Sequence, residues 1–358
     1  MMIENILKYL DSVIDLSQAK KVKHKISDII AIVFFASLAN ANGWTEIYYF
    51  AVGQKKFLRK YLELPNGIPS HDTISRLFAM VSPEFLQSYQ QQWNAMLSRN
   101  EGAKLKKILA LDGKTQRGNA TSNQKANHIV SAVEEKINEI TAIPELLNDL
   151  NIKGQIITTD AMGTQKEIVK TIRKKRADYV LALKGNQGGL YKDVQEYFSD
   201  PELLAQSAYT QTKEKARNAI EKREYWQTSD ISWLTQKKDW SGLKSIGMTK
   251  NTIIQNDKTT TQVRYFISSL PLDVKEMARA IRKHWMIESY HWHLDVTFRE
   301  DVNKTIDKAA AYNLNIIKKI AINTLKLLDV GLKNVSLKAK RYMISINVEK
   351  HLEKLLAL

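Results

Sequence analysis

From residue 104 onward the chain alternates short apolar runs with amphipathic ones, and this alternation constrains the fold more than any other feature. "KILALD" (107–112), "GQIITTD" (154–160) and "ADYVLALKG" (177–185) read as buried strands, because near-continuous aliphatic runs suit a strand covered on both faces. "TQKEIVKTIRKKR", between the last two, has helical spacing and the length of a crossover between parallel strands. That is α/β order. From 188 to about 263 Ser, Thr, Gln and Lys become common, with strand-like pieces "KREYWQTSDI", "KSIGMTKNTIIQ" and "TQVRYFISSL", so a β-rich insertion is expected there. "LDVKEMARAIRKHWMIESYHWHLDVTF" then begins a long helix, and helical patterns continue to the end.

Residues 1–103 read as a separate, all-helical domain. Apolar positions recur at helical spacing (Ile6, Leu7, Leu10 and Val13, then Phe57, Leu58, Tyr61 and Leu62), broken at "NANGW" and "LPNGIPSHD". "IIAIVFFASLA" (29–39), bracketed by Asp28 and Asn40, is too short to span a bilayer and reads as a buried helix. In "PSHDTISRLFAMVSPEF", Ser70 or Asp72 is placed to cap a helix whose Ile74, Leu77, Phe78 and Val81 face inward while Ser75 and Arg76 face out. Such a helix suits a core position and a DNA groove alike, with Arg76 as the contact in the second case.

Charge narrows the partners. With 54 Lys and Arg against 38 Asp and Glu, the net charge of +16 draws the chain toward polyanions, nucleic acid ahead of a membrane surface. There is no Cys, hence no disulfide framework and no thiolate zinc site, as suits a cytoplasmic protein. The opening "MMIENILKYLDSV" has acids where an export signal would have a basic start, so no export is expected.

Three acids carry the candidate chemistry. Asp112 and Asp160 each end a strand-like run and precede a Gly-bearing turn, and in open α/β sheets sites lie beyond the carboxyl ends of strands. Each Asp alone suits a turn cap as well as a ligand; two together suit a hard divalent cation. In "RKHWMIESYHWHLD", His284, Glu288 and His291 stand at i, i+4 and i+7 on one helix face. That row fits a zinc stripe, a surface row, or a Glu aimed at a metal with the histidines near phosphate or supporting the ligands; the zinc-protease spacing is lacking. Two Asp and one Glu would hold a pair of Mg2+ ions for in-line phosphoryl displacement. Lys114, Arg117 and Lys184 follow strand ends, within reach of phosphate or of solvent.

The whole chain resembles the DDE transposases of the H-repeat-associated, insertion-sequence-As type. The resemblance is carried in order by "NGWTEIYYFA", "LPNGIPSHDTISRLF", "LALDGKTQRG", "NEITAIPELL", "TTDAMGTQKEI", "DYVLALKGNQ", "YFISSLP" and "IRKHWMIESYHWHLDVTFRED". It implies an RNase H-like catalytic domain over 104–358 with a mixed sheet, a bacterial and nucleoid-associated setting, and DNA cutting and joining at the ends of an insertion sequence with Mg2+ or Mn2+. It further implies double-stranded DNA as partner, for both element ends and target, with more than one copy acting on it. Asp112, Asp160 and Glu288 look like the metal-binding, catalytic triad of acids, and Arg282, Lys283 and His284 like contacts to the element end.

The chain departs from the family pattern in three places. One residue usually found between the Glu and the His-Trp pair is lacking after Glu288, which turns His291 by one helical position. "KARNAIEKREYW" keeps Glu221 and Arg223 but has Arg217 and Ala219 where many relatives carry His and Arg. Between "HIVSAV" and "NEITAIPELL" only "EEKI" stands, where the family has a strand, tight turn and strand; the 48 positions from Asp112 to Asp160 leave room for about two strands. The expectation is a sheet short of part of a hairpin near 133–138. Three readings therefore follow: an active transposase, a decayed DNA-binding remnant, and a simple RNase H-like nuclease without strand transfer.

Overall fold

The computed structural model describes residues 24–97, 108–111, 113–116, 127–130, 143–144, 147–148, 150–216, 219–256 and 258–357. In chain order the elements are α1 (Ile26–Leu38), α2 (Trp44–Gly53), α3 (Lys55–Leu58), α4 (His71–Met80), α5 (Pro83–Leu97), β1 (Ile108–Leu111), β2 (Gly113–Gln116), β3 (Asn127–Val130) and β4 (Ile156–Thr159). Then come α6 (Lys166–Lys174), β5 (Asp178–Leu183), α7 (Gly188–Ser199), α8 (Pro201–Gln206), β6 (Ala208–Ala216), β7 (Ala219–Thr228), β8 (Ser245–Gln255) and β9 (Lys258–Ser268). The chain closes with α9 (Val274–Trp292), α10 (Lys308–Leu327), α11 (Leu337–Ile346) and α12 (Val348–Ala357).

Two compact units result. One contains residues 1–102, 116–127 and 290–358; the other contains 103–115 and 128–289. In the first, α1 is buried along its whole length, and its Ile and Phe side chains share one core with Ile74 and Phe78 of α4, Trp93 of α5, and Leu314, Ile317 and Ile320 of α10. The helices after residue 290 thus complete the core of the N-terminal helices, a closure over long sequence separation that local patterning does not reveal. Ser70 Oγ accepts from Thr73 N–H at 3.3 Å and so starts α4, whose exposed face carries Arg76. Its other end is closed by the buried amide of Asn313, which donates to the carbonyls of Phe78 and Val81 at 2.9 and 2.8 Å.

The second unit is built on a seven-stranded mixed sheet of order β1-β4-β5-β9-β8-β7-β6. β1, β4 and β5 are parallel, with α6 as the crossover, and β9 joins β5 antiparallel. Alternate residues face opposite ways: Ile157, Tyr179, Leu181 and Ile267 pack under α6 and α7, while Ile156, Val180 and Phe266 pack under Met277, Ala280 and Ile281 of α9. Coverage on both faces is why these strands carry continuous apolar runs. The segment expected to be β-rich from 188 begins instead with two helices, since Leu190, Val194, Tyr197 and Phe198 lie on one buried helical face. Its strands are not a separate sheet, because β9 and β8 extend the central one.

β1 ends the seven-stranded order, and β2 and β3 pair in a sheet of their own. Among the described residues β1 therefore has a strand neighbour on one side only. The segment 133–138, where the shortened hairpin is expected, lies outside the described residues. No described helix is long and apolar enough to cross a membrane.

Candidate active site

β4 ends at Thr159 and the chain turns through Asp160, Ala161, Met162 and Gly163. Asp160 Oδ1 accepts the backbone N–H groups of Met162 and Gly163, both at 3.0 Å, and its Oδ2 accepts no hydrogen bond from the described residues. One carboxylate oxygen is thereby fixed by the turn it caps while the other stays open. Gly163 has no room for a side chain: a Cβ there would stand 2.8 Å from Thr159 Cβ and 3.0 Å from Ile143 Cδ1. Gly163→Ala is expected to cost about 1–3 kcal/mol by crowding the strand end, read as a lower thermal midpoint, and to displace Asp160 with it.

The turn is locked to the one after β5. Thr164 Oγ1 donates to Ala182 O at 2.7 Å, Asn186 Nδ2 to Ala161 O at 2.8 Å, and Gln187 Nε2 to Ala161 O and Thr164 O at 3.1 and 2.8 Å. Side-chain amides of "KGNQ" thus hold "DAMGT" in place, a role invisible in the sequence although both stretches stand out in it. Lys184 begins the β5 turn and is exposed.

α9 crosses the face of the sheet toward this turn. Its Met277 fills the space over Gly247 on β8, where a Cβ would lie 2.5 Å from the sulfur, and two turns later His284 Nδ1 lies 3.2 Å from Thr158 Oγ1 on β4. His284 is 6% exposed and sits in the sheet–helix interface. Thr158 lies on the same side of β4 as Ile156, the side that α9 covers. The helical turn after His284 carries residue 288.

The remaining expected residues are distributed as follows. Arg282 Nη2 donates to both carboxylate oxygens of Glu214 of β6, at 2.9 and 2.8 Å; Glu214 also accepts from Arg223 at 3.1 Å, and Arg223 pairs with Glu221. Hydrogen bonds from Arg282, then from Arg223, hold the Glu214 carboxyl below its usual range. Lys283 is exposed and His291 half-buried. Asp112 and Arg117 lie outside the described residues, as do the side chains of Lys114 and Glu288. Among the described residues no group of three or more His, Asp and Glu is placed to hold a metal. The one described acid of the proposed set, Asp160, fits a hard cation by its chemistry: an oxygen ligand, rigidly mounted, with one lone-pair face unengaged.

Comparison with known proteins decides the family. Residues 106–324 match the family model described as the transposase DDE domain, and residues 7–94 match the model described as DDE_Tnp_1-associated. The chain belongs to the DDE transposase family. It is 36% identical to the "H repeat-associated putative transposase YhhI" of Escherichia coli K12, covering 97% of this chain and 98% of that protein. It is equally similar, at 36% with the same coverage, to the "Putative protein YbfL" of E. coli K12, and 35% identical to the "Putative transposase YncI" of E. coli O157:H7 over 97% of this chain and 93% of that one. Membership makes the mixed sheet of the second unit an RNase H-like DDE domain, and implies a DNA substrate and dependence on a divalent metal.

Proposed function

We propose that this DDE transposase cuts and joins DNA at the ends of an insertion sequence by two-metal-ion phosphoryl transfer, with Asp112, Asp160 and Glu288 as ligands of Mg2+ or Mn2+. One observation carries the reading. Leu111 of β1 and Thr159 of β4 are register partners on adjacent parallel strands, and the residues next in sequence are Asp112 and Asp160. α9 meets β4 through His284 and Thr158, and residue 288 stands one helical turn further along α9, which supports its assignment as the third ligand. The metal pair would activate a water or 3'-hydroxyl and stabilise the leaving oxygen. In this reading the chain would supply the carboxylates of Asp112, Asp160 and Glu288, with Lys114, Arg117, Lys184 and Lys283 as contacts to phosphate. Such an enzyme works on the bacterial nucleoid, with more than one copy on paired element ends.

A second reading is favoured by a specific observation. The alignment with YhhI runs over 379 positions, more than the 358 residues of this chain, so that relative has segments this chain lacks. If they fall in the catalytic sheet, the protein is a remnant that binds element ends without cutting. Mixing the protein with DNA carrying the element's terminal repeats and Mg2+ or Mn2+ separates the two. Cutting establishes the enzyme; specific binding without cutting establishes the remnant.

A further inference from the structure

The four strands β6 to β9 run well past the helices that cover their inner ends. Residues 258–263 of β9 are exposed without alternation, so the outer part of this strand is open on both faces. The two faces differ in charge. On the α9 side, Glu214, Glu221, Arg223 and Arg282 neutralise one another in a connected set of ion pairs.

The opposite face is unbalanced. Following the register outward from Trp226 and Met248, it carries Gln211, Lys213 and Lys215 on β6; Glu224, Lys222 and Ile220 on β7; Lys250, Thr252 and Ile254 on β8; and Val263, Thr261 and Thr259 on β9. Four lysines face one acid, and that acid, Glu224, is already held by Lys222 at 2.7 Å and Tyr209 at 3.0 Å. Lys213, Lys215 and Lys250 are exposed and make no hydrogen bond or ion pair among the described residues. Lys213 stands directly opposite Lys222, a cross-strand arrangement that costs stability in the absence of a counter-charge. Lysines on an edge strand also serve to blunt edge pairing, which would account for Lys213 and Lys215. It does not account for Lys222 and Lys250, which stand on interior strands.

We propose that this face of the outer β6–β9 sheet binds the phosphate backbone of double-stranded DNA. The inference rests on the transposase reading for its substrate class, and it adds a contact surface outside the acidic site. The spacing suits a run of phosphates: alternate lysines on one strand are about 7 Å apart and neighbouring strands about 4.8 Å apart. Single-stranded DNA would require stacking platforms. The outer half offers Thr, Ile and Val instead, and Tyr209, at its inner edge, is held by Gln211 and Glu224. The contact is to backbone rather than bases, so it is independent of sequence.

The test is the salt dependence of binding to a short labelled duplex of arbitrary sequence, measured by anisotropy for the full chain and for the K213Q/K215Q/K250Q variant. Each phosphate contact contributes about 0.9 to the slope of log affinity on log salt, so three lost contacts lower it by about 2 to 3. K237Q/K238Q/K244Q, with the same charge loss on exposed lysines between β7 and β8, is expected to keep the slope within about 1 of wild type. An unchanged slope in the first variant, or an equal fall in the second, overturns the proposal, as does a loss confined to a single-stranded probe. A wild-type chain that binds no duplex at all would instead bring down the transposase reading itself. Retained thermal midpoints in both variants exclude unfolding as the cause.

Discussion

Asp160→Asn is expected to lower metal-dependent DNA cutting by about a thousandfold or more while leaving the thermal midpoint almost unchanged. The two effects separate because the two oxygens of Asp160 have separate tasks. Oδ1 accepts the N–H groups of Met162 and Gly163, and an Asn carbonyl still accepts both, though less strongly than the charged carboxylate. What Asn removes is the charge offered to a cation. Metal stabilisation of developing phosphoryl charge amounts to several kcal/mol, and each 1.36 kcal/mol is tenfold in rate, so a loss near 4 kcal/mol gives that factor. Asp160→Ala is expected to lose the same activity and also stability, because two hydrogen bonds at about 0.5–1.5 kcal/mol each are lost. Cleavage assays in Mg2+ and Mn2+ beside thermal melts of both variants check this. Wild-type cutting by the Asn variant would show that position 160 acts through its turn and not through its charge.

The legible part of the fold is the part whose burial is complete. β1, β4, β5 and α6 follow from sequence because aliphatic runs ending on Asp or Gly suit little except strands covered on both faces, with an amphipathic crossover between them. β6, "AYTQTKEKA", carries no such signal; it exists through nine register partners on β7, and its side chains are largely exposed. α7 was hidden by a polar composition that suggested strands, although Leu190, Val194, Tyr197 and Phe198 keep helical spacing. The placement of His284 was likewise out of reach. A helix pattern tells which residues share a face, but not which strand that face meets, and only the contact with Thr158 shows His284 to be an interface residue. Asp160 was legible as a strand-end acid, whereas the amides of Asn186 and Gln187 that steady its turn act across a gap of more than twenty residues.

Arg341→Met is expected to be the most destabilising single change in the helical unit, at roughly 3–5 kcal/mol or on the order of 10 °C in thermal midpoint. Arg341 is fully buried, and no ion pair within salt-bridge distance holds it among the described residues, although the charge of Glu46 acts on it through space. Its Nε donates to Ser37 O and Nη2 to Ala41 O, both at 3.0 Å, Nη1 donates to Thr297 O, and the guanidinium lies 3.9 Å over the Phe298 ring. Burial pushes the group down to about 9, still well above neutral pH, so it remains charged in the cell. A buried cation costs desolvation, and replacing a whole ion pair by apolar groups can be neutral. Here, however, the partners are backbone carbonyls that cannot be replaced. Met fills the space but leaves three acceptors unmatched, at about 1–3 kcal/mol each, of which the relieved desolvation offsets a part. Arg341→Lys keeps the charge but loses the fork, since one ammonium cannot reach three carbonyls on different segments. It is expected to recover less than half of the loss. The carbonyls belong to Ser37 near the end of α1, to Ala41 just beyond it and to the π-helical turn His293–Thr297, so the same substitution loosens that turn. Hydrogen exchange across 290–298 is therefore expected to rise in Arg341→Met, and a variant with wild-type protection there and an unchanged midpoint would refute this assignment.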